Sequence, residues 1–460
     1  MVLVSHRELY QRLTAKGRTL ISDQGENRAV IYPKGVLFAM DEVYYERCAG
    51  IDVHKKVLVV CLRIGSKAET RKFGTLTHEI REICSWLKAN GCQMAAMEST
   101  GSYWKPIYNI FEQEGLPAMI CNAHHIKNVP GRKTDVNDAQ WIARCLSFGL
   151  LNPSFIPDRD QRELRDMTRF RKSQIEERSR NINRLQKFLE GANIKLGNWV
   201  SNIEGKSATE LLQLVIGKPD FTVDDVSACM HRNLKSTPKE LFLSLEGSIT
   251  PNQREFFLHV MSVIREQTSQ IEKTDALIQS CMSDNYKAAI EAISEIPGIG
   301  RISAEQILTE TSTDMGRFKN QNSLCNWAGV CPGNNESAGK RKSGRTSPGN
   351  KALKSTLTQC ASAAKKNGTS FFHAQYNRLV SHRGKNRATM AVAHSMLIAI
   401  YFVLSGHRFK DLGADYYNKF NRERKISSHV KQLSKLGVIV PDDILRDALL
   451  RPPESYRQSA

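Results

Sequence analysis

The sequence lacks the features of a membrane or secreted protein. Within its 460 residues no stretch approaches the roughly 18 consecutive apolar residues that cross a bilayer, and no signal peptide opens the chain. The eleven cysteines are scattered, and none forms a Cys-x-x-Cys pair. We therefore expect small buried thiols in a reducing cytoplasm, with neither a disulfide framework nor a zinc site. A Walker-type phosphate loop is absent as well.

Acidic side chains are outnumbered by basic ones. The chain has 66 Lys and Arg against 47 Asp and Glu, a net charge of +19. This balance indicates a polyanionic partner, most simply nucleic acid, because an anionic membrane would need an amphipathic anchor that we do not find. The length predicts two or three domains. Residues 1–48 show no clear period and are interpreted as an N-terminal extension.

Strands and helices alternate over residues 49–157. Two neighbouring strands are predicted, with Asp52 inside the first, and a later short strand ends on Glu98. A charge inside a buried strand is costly unless it is paired or bound to metal, so Asp52 is a strong functional candidate. Glu98 stands at the carboxyl end of its strand, the usual mouth of an open α/β sheet.

A third acidic feature is the stretch 133–139, which predicts a helix running to about Phe148. Thr134 is its expected N-cap, and Asp135 and Asp138, three residues apart, would share one face. Adjacent carboxylates repel each other, and a divalent cation such as Mg²⁺ relieves the repulsion. The alternative is a solvated first helical turn, where acids are common.

The order of these elements resembles the ribonuclease-H-like nuclease fold. In that fold an acid on the first strand, one at the end of the fourth strand and acids on a late helix converge on divalent metal. Asp52, Glu98, Asp135 and Asp138 occupy these positions. Three nearby histidines are interpreted as phosphate-facing or structural; they are His54, His124 and His125.

Two long helices are predicted within residues 158–290. Apolar positions recur every seven residues on both; they are Thr168, Ile175, Ile182 and Leu189 on the first, and Phe257, Ile264, Ile271 and Ile278 on the second. The repeat predicts a helical hairpin or coiled-coil arm, with two ordinary core helices as the alternative. Abundant Arg and Lys on the first helix favour dimerisation beside nucleic acid.

A mainly helical region is predicted over residues 291–410. Residues 295–304 have the form of a helix-hairpin-helix turn, in which Gly298 and Gly300 let backbone amides approach a phosphate. A plain glycine turn between core helices is the alternative. The loop of residues 333–350 is rich in Gly, Ser, Lys and Arg and suits phosphate. Residues 411–460 are a basic tail without an assigned function.

Taken in order, these motifs resemble the DEDD-type insertion-sequence transposases. The N-terminal blocks are Gly50-Ile51-Asp52-Val53-His54-Lys55, Met97-Glu98-Ser99-Thr100-Gly101 and Lys133-Thr134-Asp135-Val136-Asn137-Asp138-Ala139. The C-terminal block comprises Ile296-Pro297-Gly298-Ile299-Gly300, Ala328-Gly329-Val330, Ser337-Ala338-Gly339 and Gly349-Asn350. The resemblance spans residues 49–404.

The resemblance implies a RuvC-like domain and a serine nucleophile. Asp52, Glu98, Asp135 and Asp138 would be the catalytic acids and the Mg²⁺ ligands. Ser337 would attack a DNA phosphate and form a covalent serine–DNA intermediate. Many family members read Ser-Gly where this chain reads Ser337-Ala338-Gly339, and Ser343 is the second candidate.

The family also implies partners. Its members are bridge-RNA-guided recombinases that bind donor DNA, target DNA and a structured guide RNA, and they assemble as tetramers (dimers of dimers) with composite active sites. The residues expected to contact nucleic acid are Lys133, Gly298, Gly300, Lys340, Arg341, Arg345 and Lys351. We also expect the basic helix of residues 159–187 to contact the RNA.

Two other function classes compete with this interpretation. The first is a metal-dependent, structure-specific DNA endonuclease similar to a Holliday-junction resolvase. In such an enzyme the acids activate water, and the serine has no catalytic role. In the second, a non-catalytic nucleic-acid-binding protein, the acids take part in no reaction. The second ranks last because a binding module does not need four converging acids.

Overall fold

The computed structural model describes most of the chain in two compact units. The described residues are 30–31, 37–38, 44–99, 101–123, 126, 129, 137–200, 202–231, 234–333, 335–337, 340–343, 345–417 and 422–445. The chain divides between Ile156 and Pro157, so the predicted regions 158–290 and 291–410 belong to one unit.

The first unit is built on a mixed five-stranded sheet. A separate antiparallel pair, β1 (Val30–Ile31) and β2 (Leu37–Phe38), precedes it. The sheet strands are β3 (Arg47–Val53), β4 (Leu58–Ile64), β5 (Lys67–Phe73), β6 (Met94–Glu98) and β7 (Ala118–Cys121), in the order β5-β4-β3-β6-β7. Strands β3, β4 and β5 are antiparallel neighbours, whereas β6 runs parallel to both β3 and β7. The predicted α/β fold of this unit is confirmed.

Helices cover both faces of the sheet. They are α1 (Thr77–Ala89), α2 (Trp104–Gln113) and α3 (Asp138–Ser147). Successive side chains of a strand point to opposite faces. On one face Ile51 of β3 packs with residues of α1 and α2, and on the other Cys48 packs with residues of α3. Because it is covered on both sides, strand β3 is buried continuously from Cys48 to Ile51, which explains why that stretch carries only small and apolar residues.

The second unit begins with two long antiparallel helices. They are α4 (Arg159–Gly191) and, after the short helices α5 (Lys206–Gly217), α6 (Val223–Ala228) and α7 (Pro238–Leu245), α8 (Pro251–Cys281). The polar pairs Arg171–Asp275 and Arg178–Thr268 define the register, which places each residue of the predicted seven-residue repeat opposite its counterpart. The repeat thus marks the contact line of a helical hairpin.

The two ends of this hairpin join different hydrophobic clusters. At one end Leu164 and Ile278 belong to the core of the C-terminal helices. At the other, Leu189 and Phe257 pack with residues of α5 and α7. Between them the apolar side chains of the contact line are only half-buried.

The rest of the unit is mainly helical, as predicted. Its helices are α9 (Asp284–Ser294), α10 (Arg301–Thr311), α11 (Gln321–Ala328), α12 (Lys351–Ala364), α13 (Phe371–Arg383), α14 (Lys385–Leu404) and α15 (Arg422–Lys435). Two short strands, β8 (Asn335–Ser337) and β9 (Lys340–Ser343), lie between α11 and α12.

Helix α14 corrects the expectation about long apolar runs. By length and composition alone it could cross a membrane, although the sequence pattern indicated no such stretch. Its residues Val392, Met396 and Ile400 are fully buried in the core of this unit. Burial in a protein core and insertion in lipid select similar apolar side chains, so length and composition do not distinguish the two.

The cysteines behave as predicted for small buried hydrophobic residues. All eleven are free thiols, and only Cys281 is exposed. Burial raises the pKa of Cys48, Cys121 and Cys145 to about 12 in each case. Such thiols stay protonated at neutral pH and are inert as nucleophiles.

Candidate active-site residues

Two of the predicted acids lie side by side on the sheet. The parallel register pairs Ile51 of β3 with Met97 of β6, so the next residues, Asp52 and Glu98, are neighbours on the opposite face. Asp52 and Glu98 are therefore at the carboxyl ends of adjacent strands, as the sequence pattern predicted. This is the sheet edge where α/β proteins place ligands.

The charge environment of Asp52 reveals its neighbours. Burial raises the pKa of its carboxyl group, His54 opposes that shift, and the charges of Asp138 and Glu98 add to it. The His54 Nε2 atom lies 3.0 Å from Asp52 Oδ2. Asp138 and Glu98 are thus both within electrostatic range of Asp52. Their repulsion favours any cation that can bind between them.

Gly50 explains how helix α3 reaches this edge. A Cβ atom at residue 50 would collide with the Ala139 carbonyl oxygen and the Ala143 amide nitrogen. Because both are backbone atoms of α3, side-chain movement cannot relieve the overlap. The absence of a side chain at Gly50 therefore lets the helix that begins with Asp138 lie directly on the strand that carries Asp52.

We predict that Gly50→Ala displaces helix α3. Overpacking of a rigid contact should lower the free energy of unfolding by about 3 kcal/mol. Denaturant unfolding followed by circular dichroism would measure the change. Gly197→Ala is the matched control, because Gly197 has an ordinary φ and open space around it. Equal stability of the two variants would contradict the proposed close contact.

The start of helix α3 differs from the prediction. The helix begins at Asp138, and its N-cap is Asn137, whose Oδ1 accepts a hydrogen bond from the Ala139 amide at 3.1 Å. The N-cap of α3 is therefore Asn137 and not the predicted Thr134, because a helix begins directly after its N-cap. Lys133, Thr134 and Asp135 lie outside the described residues, as do His124 and His125.

The acids have the right chemistry for a divalent metal, but the described residues supply too few of them for a complete site. Hard carboxylate oxygens that repel one another are the ligands Mg²⁺ uses. However, within the part of the chain that the structure describes, no group of three or more His, Cys, Asp and Glu side chains could hold a metal ion by itself. Asp135 is the one predicted ligand outside that part. A complete ligand set would need it.

The predicted nucleophile lies on a hairpin in the second unit. Strands β8 and β9 pair antiparallel, with Ser337 opposite Lys340 and Asn335 opposite Ser343. Ser337 is thus at the closed end of the hairpin and Ser343 at the open end. The Gly333 amide donates to the Arg345 carbonyl oxygen at 2.8 Å, which extends the pairing beyond the strands.

The base of this hairpin is held by a close backbone contact. Gly329, with φ of +73°, ends helix α11 in the left-handed conformation that favours glycine. A Cβ atom there would lie 2.9 Å from the Ser347 carbonyl oxygen, and one on Gly349 would collide with the Gly329 backbone. The glycines of the two motif segments flanking the hairpin thus permit its two ends to touch.

The predicted helix-hairpin-helix glycines have different surroundings. Gly298 has φ of +90°, and a Cβ atom there would lie 2.5 Å from the Cys360 carbonyl oxygen of α12. Packing therefore requires a glycine at this position. Gly300 has open space and is the N-cap of α10. A phosphate contact at Gly298, Gly300, Lys340, Arg341, Arg345 or Lys351 stays a prediction.

Some arginines of helix α4 form ion pairs inside the unit. Arg171 is fully buried, with its guanidinium paired to Asp275 and, at 2.6 Å, to Glu305. Arg178 pairs with Glu204. The sequence analysis attributed the high arginine content of this helix to nucleic-acid binding. The structure shows that part of it serves ion pairs within the fold. RNA contact by this helix stays a prediction for its exposed residues.

Sequence reasoning missed two buried acids, Glu305 and Glu310, on helix α10. The last eight residues of that helix are all buried, so acids on it have no solvent to face. An acid within an apolar helix that is enclosed on every side needs a buried partner. That requirement was the available signal, but it depends on knowing that the helix is enclosed.

The comparisons with known proteins agree with these observations. Residues 49–194 match a transposase family model of the IS110 DEDD type, and residues 290–377 match the model described as transposase IS116/IS110/IS902 family. A putative transposase, y4qE, of Sinorhizobium fredii is 24% identical over 334 residues, covering 69% of this chain and 72% of that protein. The transposase for insertion sequence element IS1533 of Leptospira borgpetersenii is 28% identical over 153 residues, covering 32% of this chain and 44% of that protein.

The chain has an α/β unit with clustered acids, followed by a helical unit whose hairpin carries the serine motif. Both units match transposase models, which identifies the chain as a transposase, a class of DNA-processing enzymes. The chain belongs to the IS110 family of transposases.

Proposed function

We propose that the protein is an RNA-guided, site-specific DNA recombinase that uses Ser337 as its nucleophile. The observation that carries the proposal is the convergence of Asp52, Glu98 and Asp138 at one edge of the sheet. The order of the sheet, an antiparallel meander followed by two parallel strands, supports a ribonuclease-H-like (RuvC-like) assignment. Asp135 completes the proposed set of four acids.

The chemistry follows from the residue types. A serine hydroxyl is a weak nucleophile until it is activated. In the proposed step the Ser337 Oγ–phosphorus bond forms while one phosphorus–oxygen bond of the DNA backbone breaks, and the leaving oxygen takes a proton. When bound to the four acids, Mg²⁺ would supply electrostatic stabilisation of the reacting phosphate. The covalent intermediate conserves the phosphodiester energy, so rejoining needs no ATP.

The basic side chains near the hairpin have a supporting role. Lys340, Arg341 and Arg345 belong to the segment that carries Ser337, and Lys351 begins helix α12. Positive charge placed beside the phosphate stabilises the charge that develops in the transition state. We propose these four residues as the contacts to the scissile DNA.

The proposed partners are donor DNA, target DNA and a structured guide RNA. The net charge of +19 supports polyanionic partners in general. We further propose a homotetramer in which the acids of one subunit act with the serine of another, in the cytoplasm. Affinity for each partner should fall steeply with salt, because phosphate contacts release counterions.

Covalent trapping tests the proposal. The protein would be incubated with its guide RNA, Mg²⁺ and end-labelled donor and target DNA, and then denatured. We expect a labelled protein–DNA adduct that depends on the RNA and on Mg²⁺. Free 3′-hydroxyl and 5′-phosphate ends without an adduct would instead indicate the metal-dependent endonuclease, in which water is the nucleophile.

A further inference from the structure

A buried carboxylate connects the long hairpin of α4 and α8 with the segment that carries Ser337. Glu310 lies in the last turn of helix α10, and its side chain is only 3% exposed. An acid at the C-terminal end of a helix faces an unfavourable dipole, and its burial adds a desolvation cost. Burial of the Glu310 carboxylate is therefore tolerated only because hydrogen bonds and positive charges from its partners compensate these two costs.

Those partners come from two different parts of the unit. Arg169 of α4 donates two hydrogen bonds to the Glu310 carboxylate, at 2.6 and 2.9 Å, and Arg165 lies 3.4 Å away. From the other side, Asn350 Nδ2 donates to Glu310 Oε2 at 2.6 Å. A single carboxylate thus joins helix α4 to the residue at which the chain returns from the serine hairpin.

The side-chain oxygen and the backbone N–H of Asn350 also form hydrogen bonds within the unit. Its Oδ1 accepts hydrogen bonds from the Ala352 and Leu353 amides, both at 3.1 Å, and so caps helix α12. Its own amide donates to the Trp327 carbonyl oxygen at 3.2 Å. Because the side chain and the backbone N–H of Asn350 are both held by hydrogen bonds, the position of this residue determines where the hairpin leaves the core.

We infer that Glu310 is a positioning residue for Ser337, acting through Asn350 and held by Arg169. This inference rests on the proposed function, since it presumes that Ser337 reacts. A buried ion pair is weak evidence for stability, because a well-packed apolar replacement is often as stable. The contact to Asn350 gives the pair a function that such a replacement could not supply. Through Asn350 the pair connects helix α4 to the point where the chain returns from the hairpin that carries Ser337.

The test removes the contact and keeps the helix cap. In Asn350→Ser the hydroxyl still caps α12, but the shorter side chain cannot reach Glu310. We expect the rate of adduct formation at saturating DNA to fall about 100-fold, the effect of a misplacement near 1 Å. DNA affinity should change less than about twofold, because binding and positioning are separate.

A matched control distinguishes positioning from capping. Asn320→Ser alters an equivalent cap, on helix α11, whose Asn320 accepts from the Ser323 amide at 2.9 Å. It should leave the rate of adduct formation unchanged. Equal losses of rate in Asn350→Ser and Asn320→Ser would overturn the inference. So would an Asn350→Ser variant that reacts as fast as the wild type.

A second variant keeps the test valid if Asn350→Ser unfolds. Glu310→Gln can still accept from Asn350 but loses the ion pair with Arg169, and its rate should fall less than that of Glu310→Leu. Equal rates for the two would overturn the inference. If the wild type itself forms no serine–DNA adduct, the proposed function fails, and this inference fails with it.

Discussion

Replacing Ser337 by alanine should abolish the protein–DNA adduct and recombination. The expected loss of rate is at least about 10⁴-fold, since removal of a nucleophile leaves only binding and electrostatic effects. The change deletes one oxygen atom at the end of strand β8, so the backbone pairing with Lys340 should persist. Guide RNA and DNA binding should be unchanged when measured by filter retention or mobility shift.

Ser343→Ala is the internal control for this experiment. Ser343 lies opposite Asn335 at the open end of the same hairpin and in an equally basic segment. It should retain the adduct at nearly the wild-type rate. If the adduct survives Ser337→Ala but disappears in Ser343→Ala, the nucleophile is Ser343 and not Ser337. Survival in both single variants and in the double variant would refute serine catalysis.

Replacing Asp52 by asparagine should reduce Mg²⁺-dependent adduct formation by about 10³-fold. The change keeps the shape of the side chain but removes one of the negative charges that the proposed metal needs. It should also weaken Mg²⁺ binding measured by titration calorimetry without DNA. Glu69→Gln is the control, because Glu69 is an exposed acid on β5 that pairs with Arg71.

The same variant should not cost stability. Asp52 is partly buried beside Asp138 and Glu98, and its raised pKa shows that the folded state opposes its charge. A neutral asparagine removes that repulsion, so the unfolding temperature without metal should stay the same or rise. A large fall in that temperature would mean that the loss of activity reflects unfolding.

The pH dependence of metal binding has a definite direction. Because the pKa of Asp52 is raised by burial and by neighbouring acids, protons compete with the metal at a higher pH than for an ordinary aspartate. Lowering the pH through that range should weaken Mg²⁺ binding by the wild type. In Asp52→Asn this part of the dependence should be missing.

Local pattern alone identified most elements and the strand-borne acids. Asp52 and Glu98 could be predicted because a charge inside or at the end of a short apolar strand stands out against its neighbours. The two long helices were predictable from their seven-residue repeat. Element type, candidate acids and thiol burial are all encoded within short windows of sequence.

The sequence pattern was incomplete where the decisive partner of a residue is distant along the chain. The basic face of α4 looked like a nucleic-acid surface, but Arg171 is buried against Asp275 and Glu305. At Gly298 the local sequence did not show that packing also requires a glycine, because the backbone that would meet an added Cβ atom belongs to helix α12. Helix α3 starts at Asp138 because Asn137 caps it, although Thr134 offered an equally plausible cap.

The sequence by itself determined the transposase motifs, the strand acids Asp52 and Glu98, and the serine-bearing basic segment, because each depends on neighbours within a few residues. Only the tertiary structure decided that Asp138 comes near Asp52, through the missing side chain of Gly50, and that Glu310 joins Arg169 to Asn350. Both arrangements depend on contacts between residues far apart in the chain. Such contacts are specified by packing and leave no periodic signal.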